Sequence, residues 1–430
     1  MDDDWKTAVT SLNSWHEFDE YFQRTYIETK VFKSGCTIAI VNNHGVVHRK
    51  EFGNHKADAI YCSYSCTKIV TAIATLQMRD AGKLTLDDHV SKFLPSWKDS
   101  TRDALPNVQP KAVTIRQVLN HTSGVAGDFM ASPCMAKLEA DHTTPKMMAL
   151  ATATLADHVD YTAKGAPALY EPGKHFSYGD VINACARVVE ILSGLSFEDY
   201  VHKNIFQPLG MTDMCFFTTP EQTARYPECP ADAWLLAPSD ATKDETVNIG
   251  YDFHTDPAKG GRGDGGLKGS VDDWVKLNRC LLNGGELNGV RILTTASVTE
   301  MATSSIDGAE LISPFSFATE IIPDTPSFHL PQSHGHIIRE NTARWANHLP
   351  GQTMGLGNAV ITKPSRATLL DDAEGLAWWA GMASTYFGYS PSKNIGILLY
   401  GAHLHAHGST RCTGGWRDVI NAAFHFAEKA

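Results

Sequence analysis

Ser65-Cys66-Thr67-Lys68 sets a hydroxyl and an amine three residues apart. On a helix that spacing puts both side chains on one face, and a serine hydroxyl becomes a useful nucleophile only when a neighbour accepts its proton. The pattern has two fixed positions and recurs by chance; a second copy is Ser390-Pro391-Ser392-Lys393. Their surroundings separate the two. After Ser65 the run "IVTAIATLQMRDAGKL" reads as an apolar helix ending near Gly82. Ser65 is therefore expected at a helix start, where main-chain N–H groups stabilise developing negative charge. The second copy lies in "FGYSPSKNIGILLY", where Pro and Asn punctuate two strand-like runs, and its Ser and Lys belong to a turn.

Rival chemistries are weaker. The chain contains no G-x-S-x-G nucleophile elbow and no H-E-x-x-H metallohydrolase pattern. His403, His405 and His407 alternate in "HLHAHG", which on a strand would line one face within reach of a metal. A solvated strand end is the preferred reading for this tract, and His334 and His336 are treated alike. The Gly-rich "KGGRGDGGLKGS" at 259–270 suits a tight turn but lacks the G-K-[ST] ending of a phosphate loop; its Arg-Gly-Asp is read as incidental. No metal and no cofactor are expected.

The elements that must position Ser65 are mixed. Residues 5–29 carry Trp15, Phe18, Phe22 and Tyr26 at helical steps. A hairpin follows, with "CTIAIVN" and "GVVHRKEFG" joined through Asn42-Asn43-His44-Gly45. From 83 to 290 the pattern is mostly helical, including "TIRQVLNH", "VINACARVVEILSG" and "FEDYVHKNIFQPLG". β character returns in "LAWWAGMASTYFGY" and "NIGILLYGAHLH", before a closing helix from about Trp416. The simplest architecture is an α/β layer made from both chain ends, interrupted by a helical insert.

With 430 residues, 43% of them hydrophobic, the chain can bury a large core. Its net charge of −11 is spread without a basic run, which argues against nucleic acid or an anionic membrane as partner. The nine cysteines form no C-x-x-C pair and read as reduced, mostly buried thiols. "MDDDWKTAVTS" lacks the basic and apolar regions of a signal peptide, and no apolar run reaches membrane-spanning length, so the cytoplasm is the expected compartment. Asn120-His121-Thr122 fits a glycosylation acceptor that this compartment would leave unused.

"YCSYSCTKIVTAIATLQMRDAGKLTLDDHVSKFLP", "VTIRQVLNHTSGV", "YEPGKHFSYGD", "VVEILSGLSFEDYVHKNIFQPLGMTDM" and "GDGGLKGSVDDWVKLNRCLLNGGELNGVRIL" occur in this order. Together they resemble the β-lactamase-related serine hydrolases: class C β-lactamases, D,D-peptidases, and family VIII carboxylesterases and acyltransferases. The resemblance spans nearly the whole chain and is weakest between 300 and 370. It implies an α/β β-lactamase/D,D-peptidase-like fold, with an antiparallel sheet flanked by helices plus a mostly helical subdomain. The implied division is one catalytic domain over 1–430, with 1–62 and 290–430 as the α/β subdomain and 63–289 as the helical one.

The same resemblance makes Ser65 the nucleophile, Lys68 its partner and Tyr178 of "FSYGD" the catalytic tyrosine. Lys and Tyr ordinarily titrate near pH 10, so each needs burial or a neighbouring charge to serve as a base. Two departures stand out. Tyr178-Gly179-Asp180 carries an acid where penicillin-recognising relatives have Y-x-N, and Asp180 is expected to point away from Lys68 or to bind a substrate group. No K-T-G box appears. Lys268-Gly269-Ser270 comes too early, in the stretch resembling the family's "GGGGLVS"; Trp379-Ala380-Gly381 resembles the W-x-G of esterase members instead. An indole there replaces a carboxylate-binding cation with apolar surface, which points toward esters. Trp379, Gly381 and Asp180 are thus the expected substrate-binding residues, and the N–H groups of Ser65 and Met382 the expected oxyanion hole.

The implied activity is hydrolysis or acyl transfer on small-molecule esters through acyl-Ser65, with an acyl donor and, in a transferase, an acceptor as partners. Alternatives are a D-amino-acid peptidase or weak β-lactamase, and a non-catalytic scaffold or binding protein. Oligomeric state, donor and acceptor leave no trace in the sequence.

Overall fold

The computed structural model describes residues 8–98, 111–125, 153–165, 168, 170–174, 176, 178–230, 246–248, 256–306, 352–363, 373–381, 383–402 and 410–427. Its backbone is a seven-stranded antiparallel sheet. The strands are β1 (Gly35–Val41), β2 (Val46–Gly53), β5 (Gln352–Met354), β6 (Ala359–Ile361), β7 (Ala377–Gly381), β8 (Thr385–Ser390) and β9 (Ile395–Gly401), in spatial order β2-β1-β9-β8-β7-β6-β5. β3 (Ile60–Cys62) and β4 (Lys268–Ser270) form a separate ribbon.

The hydropathy of each strand matches its place. β1 is buried at every residue and lies between β2 and β9. β2 is an edge whose Arg49, Lys50 and Glu51 keep it from pairing further. Asn42 makes the expected turn between them, its Oδ1 accepting N–H bonds from His44 and Gly45 at 2.9 Å each.

Alternation sends neighbouring β8 residues to opposite faces. On one face Trp274 of the helix Val271–Leu282 packs 5.3 Å from Phe387 and 5.9 Å from Tyr400. On the other, Tyr386 meets Trp416 of the closing helix Thr410–Ala427 at 5.9 Å. That helix holds the N-terminal one through Asp418, which accepts hydrogen bonds from Tyr21 at 2.7 Å and Tyr26 at 2.5 Å. The N-terminal helix α1 (Trp15–Phe22) is shorter than its apolar stripe suggests. Ser14 caps it by accepting the Glu17 N–H, and a wider π turn, Gln23–Ile27, carries the stripe on to Tyr26.

The S-x-x-K segment enters α2 (Thr67–Asp80), which is almost wholly buried and packs against α4 (Asn183–Ser193); α3 (Leu155–Gly165) lies beside α4. The β3–β4 ribbon pairs Cys62 with Lys268 and so carries the Gly-rich segment alongside the start of α2. Those glycines serve packing. A Cβ on Gly263 would stand 2.6 Å from Ala186 Cβ and 3.0 Å from Thr71 Oγ1. In chain order the helices on the sheet are α5 (Val271–Leu282) and α6 (Thr410–Ala427). Among the described residues no helix is long and apolar enough to cross a membrane.

Candidate active site

Ser65 sits in a 3-10 turn, Tyr64–Cys66, that runs directly into α2. Tyr64 holds φ 45, a left-handed conformation that is costly for a bulky side chain. The turn is tied from both sides. The Ser63 N–H donates to Leu267 O at 2.8 Å, and Trp274 Nε1 donates to Ser63 Oγ at 3.1 Å. Thr385 Oγ1 of β8 donates to Ser63 O at 3.2 Å. β7 crosses so closely that a Cβ on Gly381 would lie 2.3 Å from Ser63 O and 2.2 Å from Thr385 Oγ1. Only glycine fits at that crossing.

Lys68, 3% exposed, points back along the helix face, its Nζ 3.5 Å from Ser65 Oγ. Its stronger contact is a donated bond to the Asp264 main-chain carbonyl at 2.7 Å. Tyr178 donates to Ser65 Oγ at 2.6 Å, and the Lys68 amine lies 4.9 Å from the centre of its ring. Lys68 makes no ion pair with a carboxylate among the described residues. Its ammonium gives one N–H to Asp264 O and another toward Ser65 Oγ. Cys66 beside it is a poor competitor as nucleophile. Burial pushes its thiol up to about 12, and its Sγ faces Trp379 O at 3.8 Å and Thr385 Oγ1 at 3.7 Å.

The other expected residues divide. Trp379 lies on the sheet face that carries Phe387, opposite it in register, but is only 3% exposed. Its ring packs 5.3 Å from Tyr178 and stacks on His121 at 5.9 Å and 14°. The indole thus backs the tyrosine more than it faces open space. Met382, expected in the oxyanion hole, lies outside the described residues, as do His334, His336, His403, His405 and His407. Asp180 is 3% exposed and its Oδ2 lies 2.6 Å from His158 Nε2. The buried His158 lies against this carboxylate, for which an orientation away from Lys68 or a substrate contact was expected. Burial raises the Asp180 carboxyl, but His158 and Arg262 outweigh it and bring the net shift below the usual value.

Lys268 is buried, and its Nζ is taken up by Phe216 O at 2.7 Å and Gly266 O at 3.1 Å. Ser390 ends β8 and Lys393 lies in the turn to β9, with the Lys393 N–H bonded to Ser390 O at 3.2 Å. No group of three His, Cys, Asp or Glu among the described residues could hold a metal. Among the described residues, Cys36, Cys62, Cys66, Cys185, Cys215 and Cys280 form no disulfide.

Sequence reasoning missed several neighbours of the site. His121, in a left-handed conformation at φ 58, is 2% exposed, and neither ring nitrogen has a hydrogen-bond partner among the described residues. Burial and then the Lys68 charge drive its pKa down to about 3. Asn183, His158, Arg262 and Asp264 form the interior beside Lys68. The acid in Y-x-D was the one usable signal, because a buried carboxylate requires a cationic or donor partner.

A sequence profile of the β-lactamase family matches residues 24–411, and the chain belongs to that family. Lovastatin esterase of Penicillium rubens is 30% identical over 254 residues, which is 57% of this chain and 59% of the esterase. A LovD6 mutant of simvastatin synthase from Aspergillus terreus superposes with a TM-score of 0.70 at 18% identity, covering 99% of this chain and 98% of that one. EstCE1, described as a hydrolase with promiscuous acyltransferase activity, gives 0.68 at 20% identity, covering 94% and 97%. The fold is therefore of the β-lactamase and penicillin-binding-protein kind, and homologues of this chain include esterases and acyltransferases.

Proposed function

We propose that the protein is a serine ester hydrolase or acyltransferase that works on small-molecule esters through an acyl-Ser65 intermediate. The observation that carries this reading is the convergence on Ser65 Oγ of Tyr178 Oη at 2.6 Å and Lys68 Nζ at 3.5 Å. Ser65 Oγ attacks the ester carbonyl and its proton passes to the Lys68–Tyr178 pair. The N–H groups of Ser65 and Met382 receive the oxyanion, each donor worth about 2.7–4 kcal/mol in the transition state. Collapse breaks the ester C–O bond, and the leaving alcohol takes the proton back from Tyr178. Water, or an alcohol, amine or thiol acceptor, then attacks the acyl carbonyl and gives its proton to the same pair; the acyl–Oγ bond breaks, releasing the acid or the acylated acceptor, and the pair returns the proton to Ser65 Oγ.

The preference for esters over β-lactams rests on β7. Its sequence, Ala377-Trp378-Trp379-Ala380-Gly381, offers no cation for a substrate carboxylate, and Lys268 is engaged elsewhere by two carbonyls. Relatives named as an esterase and as a hydrolase with promiscuous acyltransferase activity support both fates of the acyl group. The test is intact-protein mass spectrometry after mixing with a short-chain aryl ester. An acyl adduct on Ser65 is expected; an unmodified protein with no turnover would favour the non-catalytic scaffold.

A further inference from the structure

Behind the proposed bases lies a buried charged cluster that no step of the chemistry uses. Asp180, His158 and Arg262 are 3%, 1% and 5% exposed. Asp180 Oδ2 lies 2.6 Å from His158 Nε2, and Arg262 Nη2 lies 3.1 Å from the same nitrogen. His158 Nε2 is the atom both groups meet, Asp180 as a close ion-pair contact and Arg262 Nη2 as a hydrogen-bond partner. Arg262 then reaches Asp264, its Nε donating to Oδ1 at 3.1 Å. The main chain of this segment is held as well: the Gly263 and Asp264 N–H groups both donate to Asn183 Oδ1, at 2.8 and 3.2 Å, and Thr71 Oγ1 donates to Gly263 O at 2.6 Å.

The two ends of the cluster are the informative part. Asp180 is two residues from Tyr178, and Asp264 presents the carbonyl that holds Lys68 Nζ. We propose that His158 and Arg262 are positioning residues that fix the spacing of Tyr178 and Lys68 about Ser65, by joining the Tyr178-Gly179-Asp180 turn to the Asp264 carbonyl. This role rests on the acyl-serine reading and adds to it. The acid at Asp180 is then matched by a buried histidine and arginine in place of the amide found in Y-x-N relatives, and the Arg-Gly-Asp of the Gly-rich segment has a use inside the protein.

The experiment measures kcat and KM with an aryl ester, and the rate of fluorophosphonate labelling at Ser65, for His158→Ala, His158→Gln, Arg262→Lys and Lys68→Ala. A misplacement near 1 Å costs about 100-fold, so His158→Ala should lose about 10- to 100-fold in kcat and in labelling rate, with KM within about threefold. Gln keeps an N–H donor near the Nε2 position and should restore most of the loss. Arg262→Lys keeps the charge but loses the planar fork, and should lower kcat without unfolding the protein, which keeps the proposal testable if His158→Ala fails to fold. Wild-type kcat in a folded His158→Ala or in Arg262→Lys would overturn the positioning role, as would equal losses in the Ala and Gln variants. Lys68→Ala separates the two levels. Retained turnover there would overturn the acyl-serine reading itself, whereas its loss beside an unchanged Arg262→Lys removes only the positioning role.

Discussion

Tyr178 can lose its hydroxyl and keep its ring, which makes it the cleanest probe of the proposed proton path. Tyr178→Phe preserves the packing against Trp379 and His121 and should lower ester turnover by roughly 10²–10⁴-fold, with the circular dichroism spectrum unchanged. Ser65→Ala should abolish both turnover and fluorophosphonate labelling; labelling at Ser390 would contradict the assignment. His121 supports a different prediction. Its folded pKa is about 3 against an ordinary 6.5, so above pH 6.5 neither state binds the proton and the residue leaves stability unchanged. Below that, only the unfolded chain takes the proton, and stability falls by about 1.4 kcal/mol per pH unit until the folded pKa is reached. His121→Asn, which tolerates the left-handed backbone, should remove about one proton from that slope, measured by urea unfolding at successive pH values. Ser65 and Lys68 were legible from spacing and a following apolar helix, and Tyr178 only through family resemblance. His158, Asn183 and Arg262 were not legible, because they meet across three separate segments and no spacing rule connects them.

At the scale of elements, the site depends on how closely β7 crosses the turn that bears Ser65. Gly381→Ala would drive a Cβ against Ser63 O and Thr385 Oγ1. Overpacking of this kind costs about 1–3 kcal/mol, and the displaced turn should also slow Ser65 labelling; an Ala variant as stable and reactive as wild type would show that β7 can yield. The β1–β2 hairpin, the helix after Ser65 and the strands at the C-terminal end were legible because apolar runs and turn residues mark them locally. The start of α1 was not, since its stripe is continuous while its cap, Ser14, is a single hydrogen bond. The Gly-rich segment was legible only as a tight turn. Its actual constraint is the side chains of Thr71 and Ala186 pressing on Gly263, and these come from two other helices.

For the whole molecule, the expected selectivity follows from β7, Ala377–Gly381, which carries no cation for a substrate carboxylate. With Trp379 on β7 and Lys268 engaged by main-chain carbonyls, kcat/KM for short-chain aryl esters should far exceed that for a chromogenic cephalosporin, a comparison made on one enzyme preparation. A reversed preference would return the protein to the β-lactamase alternative. The pairing of β1 with β9, which sets Cys36 beside Gly401, has a further consequence for how the protein is made. Ser65 and Lys68 leave the ribosome long before the strands that brace them, and contacts so distant in sequence close late. The growing chain therefore carries Ser65 and Lys68 in an unfinished setting, and the contacts that brace the Ser63–Ser65 turn close only after β7 and β8 have been made.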